Sequence, residues 1–398
     1  MEYPKRYILS FLISFLLLKL ISTQSDFSDK SGTKSIYIEN HIVYIINQQN
    51  NGDINIYNKT NNPQQTYNNQ FIKSYKDILK ISDSKFIIIG IDDNYKLYYQ
   101  IFNINNINAQ ITPDGDIQSL SNNNFNFNYP TYIDYRFIKE NNIIISTFEA
   151  IRFFCVYLLK YNDNEIRKLN ETSININNGG ISYPYIKCES FDSINFFCLY
   201  YYQITLTKVW EMYYLYRKSN QFISKKLCDS MCTYGDVIKI LDKNNIEKYL
   251  ICYLKIRDLG VISNTICQYY YFDTDQQINI EQNYDLWKES GYFISSEKPI
   301  ILYSYENIIM IEFDYRNVDY NAFSRIIMAS SDFKFNINSN LLTINLESNE
   351  HLKSNPINLF NTDKNIYFIY EIFSSNIFRS TKIITKELLQ EHKNISIS

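Results

Sequence analysis

Runs of apolar, β-branched and aromatic residues return along this chain at Ile42–Ile46, Phe86–Ile89, Ile143–Ile145, Phe196–Leu199, Tyr249–Leu254, Ile300–Tyr303 and Ile366–Tyr370. The spacing is about fifty residues, the period of a stacked or radial repeat. Around each run the pattern has a common grammar. A first strand is followed by a polar turn, a strongly apolar strand, a second turn and a Tyr/Phe-rich strand. One unit reads Asp77–Ile81, turn Ser82–Ser84, Lys85–Gly90, turn Asp92–Asn94, Tyr95–Phe102. Another reads Val237–Leu241, turn Asp242–Asn245, Tyr249–Leu254, turn Asp258–Gly260, Thr265–Phe272. A third unit closes on Phe153–Leu159 and a fourth on Trp210–Tyr216. The helical period is missing from nearly the whole chain, and only Lys386–Lys393 has helix-like composition.

Seven such units predict an all-β fold, a single seven-bladed β-propeller over residues 30–385, whose radial closure protects its sheet edges. The alternative is two tandem β-sandwiches, which needs a boundary that no Pro/Gly/Ser-rich linker supplies. To close the ring, Ser35–Ile38 or Phe378–Thr385 is expected to complete a shared blade. The long interval before the last unit leaves Phe333–Leu346 as an insertion or a weakly marked strand pair, and residues 386–398 read as a short polar tail.

Composition changes this picture little. At 398 residues, with 45% hydrophobic and 20% charged residues, the chain is globular rather than disordered. Asn makes up roughly one residue in eight against only 9 Gly, a balance that follows AT-rich coding. Asn tolerates positive φ, so scarce glycine does not argue against a turn-rich fold. A net charge of −3 argues against a nucleic-acid partner, which requires a basic face.

Residues 1–24 have the layout of a secretory signal peptide: Lys5 and Arg6, the apolar run Ile8–Leu18, then Lys19 and a small polar stretch at Ser22–Ser25. A membrane span takes about 20 apolar residues, and Lys19 interrupts this run too early. Cleavage near Ser22–Ser25 is therefore expected, with retention as an uncleaved anchor the alternative. No later segment has the length of a transmembrane helix, so a secretory, extracellular or cell-surface location follows. Sequons at Asn58, Asn170 and Asn394 mark expected glycosylation sites.

All seven cysteines fall between residues 155 and 267. Cys228 and Cys232 lack a second metal-ligand pair nearby, and His41, His351 and His392 are scattered, so disulfides are expected rather than zinc. A turn centred between Leu259 and Gly260 sets Cys252 directly opposite Cys267, within bridging reach. A turn centred on Ser193 does the same for Cys188 and Cys198. Cys155, Cys228 and Cys232 remain, which leaves one thiol unpaired.

The phrases Asn195-Phe-Phe-Cys-Leu-Tyr-Tyr, Tyr249-Leu-Ile-Cys-Tyr-Leu and Ile266-Cys-Gln-Tyr-Tyr-Tyr resemble, in style and period, the large families of secreted and surface proteins of ciliate protists. Many members of those families carry a transmembrane region, from which this chain departs. The period alone also resembles WD-repeat propellers, without their Trp-Asp and Gly-His signatures. No site residue carries over from either resemblance.

Motifs for chemistry are absent: no Gly-x-Ser-x-Gly elbow, no phosphate-cradling loop, no His-Glu-x-x-His. Ser331-Asp332-Phe333 and Thr112-Pro113-Asp114-Gly115 approach an Asp-box but read as turns. Asn50–Asp53 reads as a hairpin turn rather than a calcium loop. Trp210 and Trp287 are expected in the packing between blades. The expectation is a non-enzymatic recognition module for a protein or glycan, with no cofactor and no catalytic residue. The alternative is a carbohydrate hydrolase using a carboxylate pair in the funnel, drawn from acids such as Asp92, Asp93, Glu149 and Asp285.

Overall fold

The structure, a computed structural model, describes most of residues 77–273 in full and, outside them, little beyond the strands. Among the described residues, strands form seven antiparallel sheets that follow one another along the chain. Strand β1 (Ser25–Phe27) comes first in sequence. Blade 1 is β2 (Lys34–Ile38), β3 (His41–Ile45), β4 (Ile54–Tyr57) and β5 (Pro63–Tyr67). Blade 2 is β6 (Ser74–Lys80), β7 (Lys85–Ile91), β8 (Leu97–Ile104), β9 (Ile111–Pro113) and β10 (Gln118–Ser119). Blade 3 is β11 (Pro130–Phe137), β12 (Asn142–Glu149), β13 (Phe153–Asn162) and β14 (Glu165–Asn175). Blade 4 is β15 (Ile181–Glu189), β16 (Phe197–Ile204), β17 (Trp210–Lys218) and β18 (Gln221–Lys226). Blade 5 is β19 (Cys232–Leu241), β20 (Glu247–Ile256), β21 (Ile262–Phe272) and β22 (Ile278–Ser290). Blade 6 is β23 (Ile300–Tyr305), β24 (Ile308–Arg316), β25 (Ala322–Ser330) and β26 (Leu341–Asn345). Blade 7 is β27 (Asn358–Asn361), β28 (Asn365–Ile372) and β29 (Ile377–Thr385).

The first strands of blades 1 to 6 touch one another in sequence order, and β2 of blade 1 also touches β27 of blade 7. First strands innermost, with blades following in a ring, make a seven-bladed β-propeller. The ring is stitched by β1, which pairs with β29 at Ser25↔Ser380 and Phe27↔Phe378. The shared strand therefore comes from the N-terminal side of residue 30. Of the two segments expected to complete a shared blade, Phe378–Thr385 does so as β29, paired to β1, whereas Ser35–Ile38 belongs to the first strand of blade 1.

Why the central strands read as unbroken apolar runs is visible in β12, every residue of which is buried. Successive side chains of a strand point to opposite faces, and here each face meets another blade. Ile143 and Ile145 pack with Ile87, Ile89 and Tyr99 of blade 2. Ile144 and Phe148 pack with Ile186, Tyr200 and Tyr202 of blade 4. Between blades 4 and 5 the rings of Phe197 and Tyr249 stack at 4.9 Å. Each such side chain contributes about 1.5–3 kcal/mol on burial. Outer strands lack this constraint: β14 is mostly exposed and polar. The turns between first and second strands use Asn where glycine is scarce, with φ of 62° at Asn141 and 59° at Asn245.

Candidate functional site

Each blade is a meander, so the turns joining second to third strands share one end of the ring with the connections between blades. That end carries an unusual surface. Tyr129, Ile151, Tyr183 and Leu206 are 67%, 64%, 61% and 84% exposed there. Five of its non-glycine residues have left-handed backbone: Tyr95 (φ 61°), Tyr129 (48°), Ala150 (47°), Ile151 (65°) and Tyr183 (52°). Such conformations cost on the order of 1–3 kcal/mol each, most for a β-branched residue such as Ile. Tyr129 meets Tyr95 edge-on at 5.2 Å, and Tyr183 stacks over Trp210 at 5.8 Å. Trp210 itself is buried, as expected for blade packing; the side chain of Trp287 lies outside the described residues.

At the same end, on the side of blade 3 that faces blade 2, opens a cavity of about 330 Å³ lined by Asn128, Glu149, Phe153, Cys155, Tyr157, Glu171, Thr172 and Ser173. Glu149, at the end of β12, is buried. Its Oε1 accepts from the Thr147 hydroxyl at 2.5 Å and the Tyr157 hydroxyl at 2.7 Å. Its Oε2 accepts from the Asn128 N–H at 2.7 Å. Burial, with Glu149 close by, pushes the Cys155 thiol up to about 12. Burial, together with Cys155 and Glu149, likewise raises the Tyr157 hydroxyl. Among the described residues Cys155 is the free thiol.

A second cluster lies on the inner strands. The Lys187 ammonium of β15 donates to Asp236 Oδ1 of β19 at 2.7 Å and sits 3.9 Å from Glu189. The Tyr185 hydroxyl donates to the same Asp236 oxygen at 3.1 Å. Arg136 of β11 lies 3.3 Å from Asp134 and 3.7 Å from Glu189. Desolvation opposes the charge on Arg136, but the carboxylates of Asp134, Glu189, Asp77 and Asp236 outweigh it and raise its pKa. Four acids from four successive blades thus act on one guanidinium. Burial raises the Glu189 carboxyl in spite of Lys187, Arg136 and Lys239. Asp134 Oδ2 is buried without a hydrogen-bond partner. Asp77 and Asp236 repeat one local device, each accepting the N–H of the next residue at 2.8 Å.

These inner acids escaped sequence reasoning, although a signal was present. Asp77-Ile-Leu-Lys80 and Asp236-Val-Ile-Lys239 are the same phrase at equivalent positions of two units. Of the acids named from the sequence, Glu149 lines the cavity described above. Asp92 holds a turn by accepting the N–H groups of Asn94 and Lys96, each at 2.9 Å. Asp285 has its side chain outside the described residues. Thr112–Gly115 is a strand end and turn, with Asp114 paired to Lys85 at 2.6 Å and Gly115 at φ 90°. Ser331–Phe333, Asn50–Asp53 and Lys386–Lys393 lie outside the described residues.

The register sets Cys188 opposite Cys198 and Cys252 opposite Cys267. Both pairs are bridged, with Cα separations of 4.0 and 4.1 Å. Cys232 is also disulfide-bonded. Among the described residues no group of His, Cys, Asp and Glu is placed to hold a metal ion, and no helix is long and apolar enough to cross a membrane. Of the sequons, Asn170 is exposed on β14; Asn58 and Asn394 lie outside the described residues.

Ring, inner charge network and apolar end together make this a β-propeller with one distinctive outer face. No sequence-family model matches the chain, and no curated protein does. Several solved structures are similar in shape. A protein of unknown function from Dyadobacter fermentans is 9% identical with a TM-score of 0.49, over 91% of this chain and 99% of that one. The β-propeller domain of the Trilobed protease from Pyrococcus furiosus is 8% identical with a TM-score of 0.43, over 90% and 95%. An α-L-arabinanase from Penicillium chrysogenum, solved with arabinobiose, is 9% identical with a TM-score of 0.43, over 78% and 92%.

Proposed function

We propose that this protein is a non-enzymatic recognition module of the secretory pathway or cell surface, binding a protein or glycan through the end of the ring that carries Tyr129, Ile151, Tyr183 and Leu206. The observation that carries this reading is the coincidence of exposed large apolar side chains with left-handed backbone at one end. A fold that only needed stability would place Asn or Gly there, as it does at Asn141 and Asn245. Scaffolds of this kind present function on such loops. Bridged cysteines support an oxidising compartment.

The test is affinity capture from native cell-surface extract. The combined variant Tyr129→Asn, Ile151→Asn, Tyr183→Asn and Leu206→Ser is expected to fold at least as stably as the parent and to lose its captured partner. Undiminished capture by that variant defeats the proposal. N-terminal mass spectrometry of native protein tests the location, with an intact Met1 favouring a membrane anchor.

One observation favours a second reading, carbohydrate hydrolysis at the inner strands: Asp134, Glu189 and Asp236 gather around Arg136 and Lys187, and burial raises the Glu189 carboxyl. Against it, Asp134, Glu189 and Asp236 each lie beside a cation of the network. Turnover of any glycoside by purified protein, abolished in Glu189→Gln, would replace the first reading with this one.

A further inference from the structure

We propose that Asn170 carries an N-linked oligosaccharide, and that in the folded protein this glycan guards the outer edge of blade 3 against pairing with another chain. The inference rests on the secretory reading above.

An outermost strand presents unpaired N–H and C=O groups, a template for a second strand. β14 is such a strand: it pairs with β13 on one side and is 11 residues long, against 6 for the outer strand β18 of blade 4. Its protections, four charged side chains and a bulge, leave one gap. A bulge in β14 opposite Leu158 and Leu159 of β13 leaves Leu169 unpaired, an apolar residue 52% exposed on the edge strand. The charges on β14 satisfy one another instead of repelling a newcomer: Arg167 pairs with Glu165 at 2.7 Å and Lys168 with Glu171 at 2.8 Å.

The sequon stands where the gap is. Asn170 follows Leu169 directly, is exposed, and uses Oδ1 to accept the Glu171 N–H at 2.8 Å. Among the described residues its Nδ2, the atom that would be modified, has no hydrogen-bond partner. Thr172 lies two residues on, hence on the same side of the strand. The donor required is a lipid-diphosphate oligosaccharide. Nδ2 attacks C1 of the first sugar, the C1–O bond breaks, the lipid diphosphate leaves, and Nδ2 gives up one proton to a base. A large hydrated oligosaccharide at this point bars approach of a strand along the edge.

The test uses full-length protein recovered from a eukaryotic secretory host. Peptide mapping after enzymatic deglycosylation is expected to return residue 170 as Asp. Asn170→Gln and Thr172→Ala are each expected to lose one glycan's mass and to self-associate with rising concentration on size-exclusion chromatography. Adding Leu169→Lys to Asn170→Gln is expected to restore the monomer. Secreted protein with its leader removed and an unmodified Asn170 overturns the inference while leaving the secretory reading standing. An intact leader with an unmodified Asn170 overturns both. A glycan whose removal leaves the protein monomeric overturns the guarding role.

Discussion

Lys187 Nζ lies 2.7 Å from Asp236 Oδ1, with the two side chains only 7% and 6% exposed, and the contact joins blade 4 to blade 5. The pair carries two further acceptor–donor contacts, from the Tyr185 hydroxyl and the Val237 N–H to the same carboxylate oxygen. A buried ion pair stabilises little by itself against an apolar substitute, but half of one is costly.

Lys187→Met is therefore expected to destabilise the protein by about 3–5 kcal/mol, because it strands a buried carboxylate. The double variant Lys187→Met with Asp236→Leu is expected to recover most of that loss. Urea unfolding of the two variants checks both statements; equal losses in single and double variants would contradict them.

Glu189 sets a pH dependence. Burial raises its folded pKa above the ordinary 4.5, against the pull of Lys187, Arg136 and Lys239. The native state then holds this proton where the unfolded state has released it. Its contribution is fully present below pH 4.5 and is lost as pH rises through the folded pKa. Relative to the parent, Glu189→Gln is expected to gain stability as pH climbs above 4.5, read from unfolding midpoints across a pH series.

Cys155 is expected to be inert in the folded state. Its thiol is buried and pushed up to about 12, so at pH 8 the reactive thiolate is scarce. Iodoacetamide should label it slowly in native protein and rapidly in denaturant. Non-reducing peptide maps should recover Cys188 with Cys198 and Cys252 with Cys267.

Gly235, buried beside the bulge of β19, answers to packing. A Cβ there would lie 2.9 Å from Leu199 Cδ2, 3.2 Å from the Cys252 carbonyl and 3.2 Å from Met212 Cε. Gly235→Ala is expected to cost about 1–3 kcal/mol in thermal or urea unfolding, since the backbone oxygen cannot give way.

The blades were legible because their second and third strands are buried on both faces. For that reason Lys85–Gly90 falls one residue short of β7, and Tyr249–Leu254 marks the middle of β20, two residues short at each end. The fourth strands were not: Glu-Ile-Arg-Lys-Leu-Asn-Glu-Thr-Ser-Ile-Asn of β14 faces solvent, and no burial enriches it in apolar residues. Ser25–Phe27 is too short to carry a pattern, and what recruits it is a partner more than three hundred residues away. Of the candidate surface, exposed Tyr and Ile are indistinguishable in sequence from core Tyr and Ile in a chain so rich in both. The inner acids were distinguishable only by comparing units with one another.

The pairing of Ser25 with Ser380 also sets an order of events in time. Blades 1 to 6 are each built from contiguous chain and can form as they leave the ribosome. Blade 7 cannot: its outermost strand is made first and its neighbour β29 nearly last. Throughout synthesis the earliest strand waits without a partner, and the ring stays open at one seam. Contacts that span the whole chain are the slowest to form, because the longest loop must close first. The ring closes only when β1 meets β29, and a chain lacking either strand would keep an unfinished seventh blade.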